Sequence, residues 1–391
     1  RPPRSTLFPY TTLFRSPLYQ GSSIYYLDKP PTAPVLSAAL KAVQPTVMVA
    51  VPLIIEKVYR GSIEPRLKSH PLYRFAPTRL LAVRAAGRKL EEAFGGNIRF
   101  FGIGGAALAR DVEEFLSAAG FPYAIGYGLT ETSPLIAAAV PGKTAVGSTG
   151  IILSGLSVRI ARQMPVGKED APEGTLADGG NGHGSQDTAA ARTASGAQLA
   201  AVGEEGEIQV TGPSVMRGYY RDEARTAEVF TSDGWFRTGD LGTFDRQGRL
   251  YIRGRLKAMI LGPSGENIYP EEIESALAAT GFVEESLVYA ARDGALVAMV
   301  VLNERTKAML NGTRQAMGNA LQAIDHTRHA LDDTARETAA GVEHLLGQLR
   351  STVNRRLSSF SRISRIVIRE APFEKTATLK IKRYRYPEAG A

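Results

Sequence analysis

The fold of this chain is constrained most by an alternation of apolar strands and helices in its first third. Val-rich Thr46–Val51 lies between two prolines and predicts a buried strand, and Ile98–Ile103 predicts a second. Helical spacing over Ala33–Val43, Leu80–Phe94 and Ala109–Ala119 places helices around these strands. The alternation predicts an α/β fold with a mainly parallel sheet that is covered on both faces.

Two glycine-rich segments follow strands of this predicted sheet. One is Gly104–Ala107, and the other, Gly126–Pro134, reads GYGLTETSP. Parallel sheets bind ligands beyond the carboxyl ends of their strands, and glycine lets the backbone approach a ligand closely. Thr130 and Glu131 set a hydroxyl beside a carboxylate, a pair that can hold a phosphate oxygen and, through water, Mg²⁺. By itself the segment also fits a glycine-rich turn with a capping Thr.

The second half predicts a β-rich part and then a small α+β domain. Short strands over Gly206–Thr211, Gly234–Arg237 and Arg249–Arg253 indicate a barrel or meander. Met164–Val202 has few large apolar residues and predicts a flexible surface insertion, in which His183 has no ligand-spaced partner. The other predicted elements are strands at Ser23–Leu27, within Val146–Ile160, and at Ser286–Ala291, Leu296–Leu302 and Ile366–Ile368, and helices at Leu53–Arg60, Pro270–Ala279, Met309–Leu331 and Val342–Leu357.

Composition excludes several classes of protein. The chain has no cysteine, hence neither a disulfide framework nor a thiolate metal site. Its longest apolar run, Thr46–Ile55, is interrupted by Pro52 and falls short of the ~20 residues that span a bilayer. With no signal-peptide pattern, we predict a cytoplasmic protein and leave open a peripheral position on the inner face of the membrane.

The net charge of +8 raises the question of an anionic partner. Basic residues cluster in Arg350–Arg369 and Lys380–Arg385. A nucleic-acid surface is conceivable, but solvated faces and attraction for nucleotides, CoA or lipid headgroups are favoured. We therefore predict no nucleic-acid partner.

The first sixteen residues, RPPRSTLFPYTTLFRS, fit neither helical nor strand periodicity. The tripeptide TLF occurs in them twice. The segment resembles translated sequencing-adapter DNA, against the alternative of a genuine extension. We expect residues 1–16 to be an artefact and the natural chain to begin near Pro17, with its true N-terminal part missing.

Four further segments stand in order behind GYGLTETSP. They are DGWFRTGDLG at Asp233–Gly242, YIRGRLKAM at Tyr251–Met259, SGENIYPEEIE at Ser264–Glu274 and FEKTATLKIKR at Phe373–Arg383. Together they resemble the adenylate-forming superfamily of acyl-CoA synthetases, adenylation domains and luciferases. Gly21–Lys57 and the tail look most like bacterial long-chain fatty acid–CoA ligases.

The resemblance implies a two-domain enzyme. Residues 17–256 would be the remainder of a large AMP-binding domain, and residues 257–391 a small C-terminal domain with a helical insertion at about 305–358. The implied reaction joins a long-chain fatty acid to the α-phosphorus of ATP and passes the acyl group to CoA, with Mg²⁺ as cofactor. In the first step an anionic carboxylate must approach the polyanionic ATP, and enzymes usually offset this repulsion with cations and preorganised hydrogen-bond donors.

The resemblance also implies roles at the nucleotide. Asp240 would accept both ribose hydroxyls, and Arg255 would offer a fork of donors to ribose or phosphate. Thr130 would donate to the α-phosphate and Glu131 would hold Mg²⁺. The full implied nucleotide set is Gly104, Gly105, Ala106, Ala107, Tyr127, Gly128, Thr130, Asp240, the Tyr251-Ile252 pair and Arg255.

Three further implied roles lie in the second half of the chain. Lys380 matches the catalytic lysine between the acyl carboxylate and the α-phosphate, although Leu379 replaces the usual Gly before it. Lys257 falls at the hinge on which the small domain swings between two poses. The loop residues Ser264, Gly265 and Glu266 would line the CoA channel.

One family motif is missing from the sequence. No Ser/Thr/Gly-rich run ending in Pro-Lys-Gly, which would wrap the outer phosphates, occurs between Pro17 and Gly104. We therefore expect the chain to have little or no activity of its own. The alternatives left open are a fatty acyl-AMP ligase or adenylation domain that serves a carrier protein, and a nonenzymatic basic fragment that binds nucleic acid or membranes. Acyl chain length and oligomeric state are not given by the sequence.

Overall fold

The computed structural model of the protein describes residues 21–25, 33–162, 199–262, 265–309, 329–376 and 381–386. These residues form two compact units. The first contains the described residues up to Ala106 and from Glu114 to Leu256, and the second contains Ala107–Glu113 and the described residues from Lys257 onward. Residues 1–16, His183 and Lys380 lie outside the described residues.

A five-stranded sheet organises the start of the first unit. Its strands follow one another in sequence order: β1 Val47–Ala50, β2 Phe100–Ile103, β3 Tyr123–Gly128, β4 Leu135–Ala138 and β5 Ile151–Ile152. The first three are parallel and the last two are antiparallel. The predicted α/β class is confirmed.

Helices connect and flank these strands. They are α1 Ala33–Val43, α2 Pro52–Val58, a π-helical turn Tyr59–Ile63, α3 Glu64–Ser69, α4 Pro71–Arg74, a 3₁₀ turn Ala76–Thr78, α5 Arg79–Ala93 and α6 Arg110–Ala119. Proline occupies the first turn of α2, α3 and α4, where a missing N–H costs nothing. Phe101 of β2 packs against Phe94 and Phe121, with ring centroids 4.9 and 5.6 Å apart, and these three rings lie in the core.

The first unit continues with an antiparallel sheet of four strands in sequence order. These are β6 Ser157–Ala161, β7 Gly206–Thr211, β8 Phe236–Phe244 and β9 Leu250–Arg255, with α7 Glu223–Val229 before β8. On β6 the buried guanidinium of Arg159 forms a bidentate pair with Asp233, at 2.6 and 3.0 Å, and lies over the Trp235 ring. This desolvated pair holds the approach to β8 in place, since removing one partner would leave a buried charge.

The described residues of the second unit include a three-stranded sheet, a two-stranded hairpin and three helical segments. Its elements are β10 Ile260–Leu261, β11 Asn267–Ile268, α8 Pro270–Ala278, β12 Val283–Ala290, β13 Leu296–Leu302, a helical stretch at 304–309, α9 His329–Asn354 and β14 Arg365–Ile368. β13 pairs antiparallel with β12 and parallel with β14. Ile273 and Leu277 of α8 share a core with Val288, Ala298 and Val353.

Several predicted elements need correction. Residues 23–25 are not a strand, and the rest of that prediction lies outside the described residues. Thr46–Val51 was predicted to be buried, but Val47 and Val49 are 61% and 62% exposed because β1 is an edge strand. Gly126–Gly128 belongs to β3 itself rather than to a turn after it. The helix predicted at Val342–Leu357 begins no later than His329 and ends at Asn354.

None of the helices among the described residues is long and apolar enough to cross a membrane.

Candidate active site

Asp240 is the centre of a polar cluster in the first unit. It faces Arg255 across the β8–β9 hairpin, and the Arg255 Nε lies 2.8 Å from its Oδ1. The Asp240 N–H donates to the Thr238 hydroxyl at 3.1 Å. The Asp240 side chain is 6% exposed while that of Arg255 is 50% exposed. The hairpin thus buries a carboxylate and leaves its cation at the surface.

Tyr127 completes the cluster from the other sheet. Its hydroxyl donates to Asp240 Oδ2 at 2.8 Å, although the two residues are 113 positions apart. Burial, followed by the negative charge of Asp240, raises the pKa of Tyr127 well above its ordinary value. Tyr127 therefore stays protonated and donates to the carboxylate.

Tyr127 and Arg255 each engage a different oxygen of Asp240. A carboxylate in a nucleotide site commonly accepts hydrogen bonds from the two ribose hydroxyls.

The turn after β3 has a backbone that only particular residues allow. A Cβ on Gly128 would lie 1.7 Å from the Pro134 carbonyl oxygen, so this position requires glycine. The Leu129 N–H donates to the Thr132 hydroxyl at 3.1 Å, and that hydroxyl lies 2.9 Å from the Pro134 oxygen. Ser133 has a left-handed backbone with φ 58°. Thr132, which is fully buried, fixes the turn, so the capping role of a Thr and the glycine requirement are both present here.

Thr130 and Glu131 are carried by this turn. Thr130 is exposed and Glu131 is half-buried. The Tyr219 hydroxyl donates to Glu131 Oε1 at 3.1 Å, and the Met216 N–H donates to the Glu131 carbonyl at 2.8 Å. Burial, and then Glu131, raises the pKa of Tyr219. Sequence reasoning missed Tyr219, although its Gly-Tyr-Tyr context is a signal that could have drawn attention to it.

Glu131 has the chemistry expected of a protein carboxylate that binds Mg²⁺ together with substrate phosphates and water. Within the described residues, no three His, Cys, Asp or Glu side chains come together as a metal site. Mg²⁺ commonly takes one or two carboxylates, and water and substrate phosphates complete its shell. A single oriented carboxylate beside an exposed hydroxyl meets that requirement.

The glycine-rich segment after β2 lies close to the end of β3. Gly105 has a φ of +86°, and a Cβ on Gly104 would lie 3.3 Å from the carbonyl oxygen of Gly126. Gly105, Ala106 and Ala107 are exposed, and Ala107 groups with the second unit. Gly104 and Gly105 therefore present bare backbone at the carboxyl end of the parallel strands.

The Tyr251-Ile252 pair does not join the Asp240 cluster. The Tyr251 hydroxyl donates to Asp245 Oδ2 at 3.2 Å, and Arg249 Nε lies 2.6 Å from the same oxygen. Ile252 packs against the apolar core between the strands. This second Tyr–Asp–Arg group is a structural counterpart of the first, placed at the other end of the hairpin.

The predicted residues of the second unit are described in part. Lys257 is exposed in the 3₁₀ turn Leu256–Ala258 that follows β9. Gly265, with φ +88°, and Glu266 lie in the hairpin of β10 and β11, where the Gly262 N–H donates to the Glu266 carbonyl at 2.8 Å. Ser264 lies outside the described residues.

Both flanks of Lys380 are held by ion pairs within the second unit. Lys375, before it, pairs with Glu285. Arg383, after it, forms two bonds to Glu274 at 2.6 and 2.7 Å. Burial raises the pKa of Glu274 to about 7, against the opposing pull of Arg383.

Comparison with known proteins gives a family and several relatives. The AMP-binding enzyme family matches residues 7–182. The chain is 30% identical over 300 residues to long chain acyl-CoA synthetase 6, peroxisomal, of Arabidopsis thaliana, covering 72% of this chain and 37% of the relative. It is 31% identical over 272 residues to long-chain-fatty-acid–CoA ligase FadD15 of Mycobacterium bovis, covering 64% and 38%. The chain thus spans less than two fifths of the length of these relatives.

Solved structures share the fold. O-succinylbenzoate coenzyme A synthetase from Bacillus subtilis, in complex with ATP and magnesium ion, has a TM-score of 0.63 at 20% identity, covering 97% of this chain and 59% of that one. ATP-bound MatB from Rhodopseudomonas palustris has a TM-score of 0.60 at 22% identity, covering 95% and 56%.

Proposed function

Because the chain belongs to the AMP-binding, adenylate-forming superfamily, we propose that it carries the nucleotide site of an AMP-forming long-chain fatty acid–CoA ligase. In the first step a carboxylate oxygen of the acid attacks the α-phosphorus of ATP, and pyrophosphate leaves. In the second step the CoA sulfur attacks the acyl carbon, AMP leaves with the electron pair of the broken C–O bond, and the thiol proton is released. The names of the sequence relatives support the long-chain acid and CoA.

The Tyr127–Asp240–Arg255 cluster is the observation that carries this proposal. Asp240 accepts the two ribose hydroxyls, while Tyr127 and Arg255 hold its carboxylate in orientation. The exposed fork of Arg255 has further N–H groups for ribose or phosphate. The glycines at 104 and 105 admit the adenine base near Tyr127.

The turn after β3 serves the phosphates in the same proposal. The Thr130 hydroxyl donates a hydrogen bond to an α-phosphate oxygen, and the carboxylate of Glu131 would hold Mg²⁺. When bound, Mg²⁺ neutralises charge on the phosphate oxygens. Because the turn is fixed by Thr132 and the Pro134 carbonyl, Thr130 keeps its position without the ligand.

The second unit supplies the remaining proposed roles. Lys380 is the cation for the acyl carboxylate and α-phosphate, Lys257 is the hinge, and Ser264, Gly265 and Glu266 line the CoA channel. Residues 17–256 and 257–391 are the proposed domains. We also propose that the protein works at a membrane surface, where long-chain acids partition.

Binding of AMP to the 391-residue chain, measured by calorimetry, tests the site without requiring turnover. Binding that is lost on Asp240→Asn and kept on Asp245→Asn supports the proposal. Absence of AMP and ATP binding by the unaltered chain would overturn it.

The acyl acceptor is tested by incubating the chain with palmitate, ATP and either CoA or a phosphopantetheinylated carrier protein. Palmitoyl-CoA found by mass spectrometry supports the ligase, and transfer to the carrier protein alone would favour the acyl-AMP ligase. Since no Pro-Lys-Gly loop occurs between Pro17 and Gly104, we expect little product from either reaction, and AMP binding is the primary measurement.

A further inference from the structure

A basic segment with exposed apolar side chains lies in the first unit, outside the nucleotide site. Residues 57–90 contain nine Lys or Arg and a single acidic residue, Glu64, giving a net charge of +8. That equals the net charge of the whole chain, in which 47 basic residues stand against 39 acidic ones. The positive charge of the chain is therefore concentrated in two places, here and in the tail, where residues 350–385 contain eleven basic and two acidic residues.

Four large apolar side chains in this segment are exposed. Leu72, Phe75, Leu80 and Leu81 are 44%, 67%, 48% and 61% exposed. The Thr78 hydroxyl donates to the Leu72 carbonyl at 2.7 Å, which closes the turn that carries Leu72 and Phe75. Leu80 and Leu81 follow directly, in the first turn of α5. Adjacent exposed apolar residues of this size mark an interaction surface rather than scattered surface residues.

Cations flank this apolar turn along α5. Arg84 and Arg88 are exposed. Arg79 is also exposed, but it lies over the Tyr73 ring and its Nε donates to the Tyr73 carbonyl. Among the described residues, no carboxylate pairs with Arg84 or Arg88, whereas Lys68 and Lys89 are paired with Glu64 and Glu92. The acidic residues of α5, at 91 and 92, lie about three helical turns from Leu80, so the leucine end of the helix is purely cationic.

We propose that Leu72, Phe75, Leu80 and Leu81, with Arg84 and Arg88, form a docking surface for an anionic lipid bilayer. The apolar side chains enter the boundary between headgroups and acyl chains, and the guanidinium groups bind lipid phosphates. A nucleic acid would match the charge, but its grooves and phosphates offer little to four apolar side chains. Membrane docking by this surface does not depend on the proposed activity. Only the idea that docking brings a fatty acid to the enzyme rests on the proposed function.

Vesicle co-sedimentation of the full chain tests the surface. The vesicles are neutral phosphatidylcholine alone, or phosphatidylcholine with about one third phosphatidylglycerol. We expect binding to the anionic vesicles that falls at high salt and weak binding to the neutral ones. Failure to bind anionic vesicles would overturn the proposal.

Two double variants separate charge from apolar contact. Each surface cation contributes a factor of about five, so Arg84→Glu with Arg88→Glu should weaken binding by at least about 30-fold. Phe75→Ser with Leu81→Ser should weaken it by about tenfold or more at unchanged charge. Circular dichroism and thermal melts show whether both variants keep the fold.

A matched control uses the basic cluster of the second unit. Arg355→Glu with Arg356→Glu makes the same change of charge at two exposed positions just after α9, and it should change binding by less than threefold. An equal loss in this control would mean that the proposed surface is not specific.

Two other outcomes identify other occupants. If Phe75→Ser with Leu81→Ser binds vesicles normally and the chain binds duplex DNA with a similar salt dependence, the surface is a nucleic-acid site and the proposal is wrong. If that variant instead raises solubility without changing vesicle binding, the apolar turn packs against protein, and the proposal is equally refuted.

Discussion

Replacing Asp240 with Asn tests the nucleotide site at its most buried charge. The two oxygens of Asp240 accept from the Tyr127 hydroxyl and from Arg255, each at 2.8 Å. An amide of the same shape keeps one acceptor oxygen but turns an NH₂ group toward the other donor. The substitution therefore removes the charge and breaks one of the two bonds while leaving the packing unchanged.

The expected loss of stability is modest. One charge-assisted hydrogen bond contributes about 1.5–3 kcal/mol, and removing the desolvated carboxylate offsets part of that loss. The Arg255 side chain is 50% exposed, so solvent screens its ion pair. We expect the free energy of unfolding of the first unit to fall by about 1–2 kcal/mol, measured by urea denaturation.

The expected loss of nucleotide affinity is larger. A ribose diol donates two hydrogen bonds to the carboxylate, and one of its acceptors becomes a donor in the variant. Two bonds to a charged acceptor are together expected to contribute about 2–3 kcal/mol beyond those to a neutral one. AMP should therefore bind about 30- to 150-fold more weakly to Asp240→Asn, as measured by calorimetry.

Asp245→Asn is the matched control. Asp245 also accepts from a tyrosine and an arginine, at 3.2 and 2.6 Å, and its side chain is 22% exposed. It should lose a comparable amount of stability but change AMP affinity by less than threefold. AMP binding by Asp240→Asn within threefold of the unaltered chain would refute the reasoning, as would an equal loss in both variants.

Three further predictions concern the turn after β3 and the second unit. Tyr219→Phe removes a donor from Glu131, so Mg²⁺-dependent ATP binding should weaken about three- to tenfold while metal-free AMP binding is unchanged; equal effects on both would contradict this. Gly128→Ala places a Cβ against the Pro134 carbonyl and should destabilise the first unit by more than about 3 kcal/mol, whereas Gly61→Ala, which meets no atom within 4 Å, should not. Since the pKa of Glu274 is raised from 4.5 to about 7, the folded state binds the extra proton and its stability should fall by about 1–3 kcal/mol as the pH rises through that window; Glu274→Gln should lack this slope in denaturation at pH 5 and pH 8.

The periodic elements of this chain could be predicted from the sequence. Ala33–Val43, Gly206–Thr211 and Leu296–Leu302 have the bounds that their hydrophobic patterns indicate. Burial could not be predicted in the same way. Val47 and Val49 belong to a strand with the composition of a buried one, but β1 lies at the edge of its sheet, and sheet order depends on residues far along the chain.

The location of charge was also only partly predictable. Counting basic residues drew attention to Arg350–Arg369, because they are dense there. In the structure Arg350 donates to the carbonyl of Ser364, and Arg369 lies over the rings of Phe373 and Tyr386. A guanidinium group that is engaged in this way is less available to a partner than those of Arg84 and Arg88. This difference depends on exposure and pairing, which the sequence does not give.

The nucleotide cluster contains a long-range contact that local sequence pattern could not predict. The resemblance placed Tyr127 among the nucleotide-binding residues and Asp240 as a ribose acceptor, with no link between them. The structure joins them directly, by a phenol that burial keeps protonated. Asp240 thus has a neutral donor on one oxygen and a cation on the other before any nucleotide arrives, and these two contacts fix the orientation of its carboxylate. Since burial raises the pKa of Tyr127 well above its ordinary value, the donation from this phenol should hold across the physiological range.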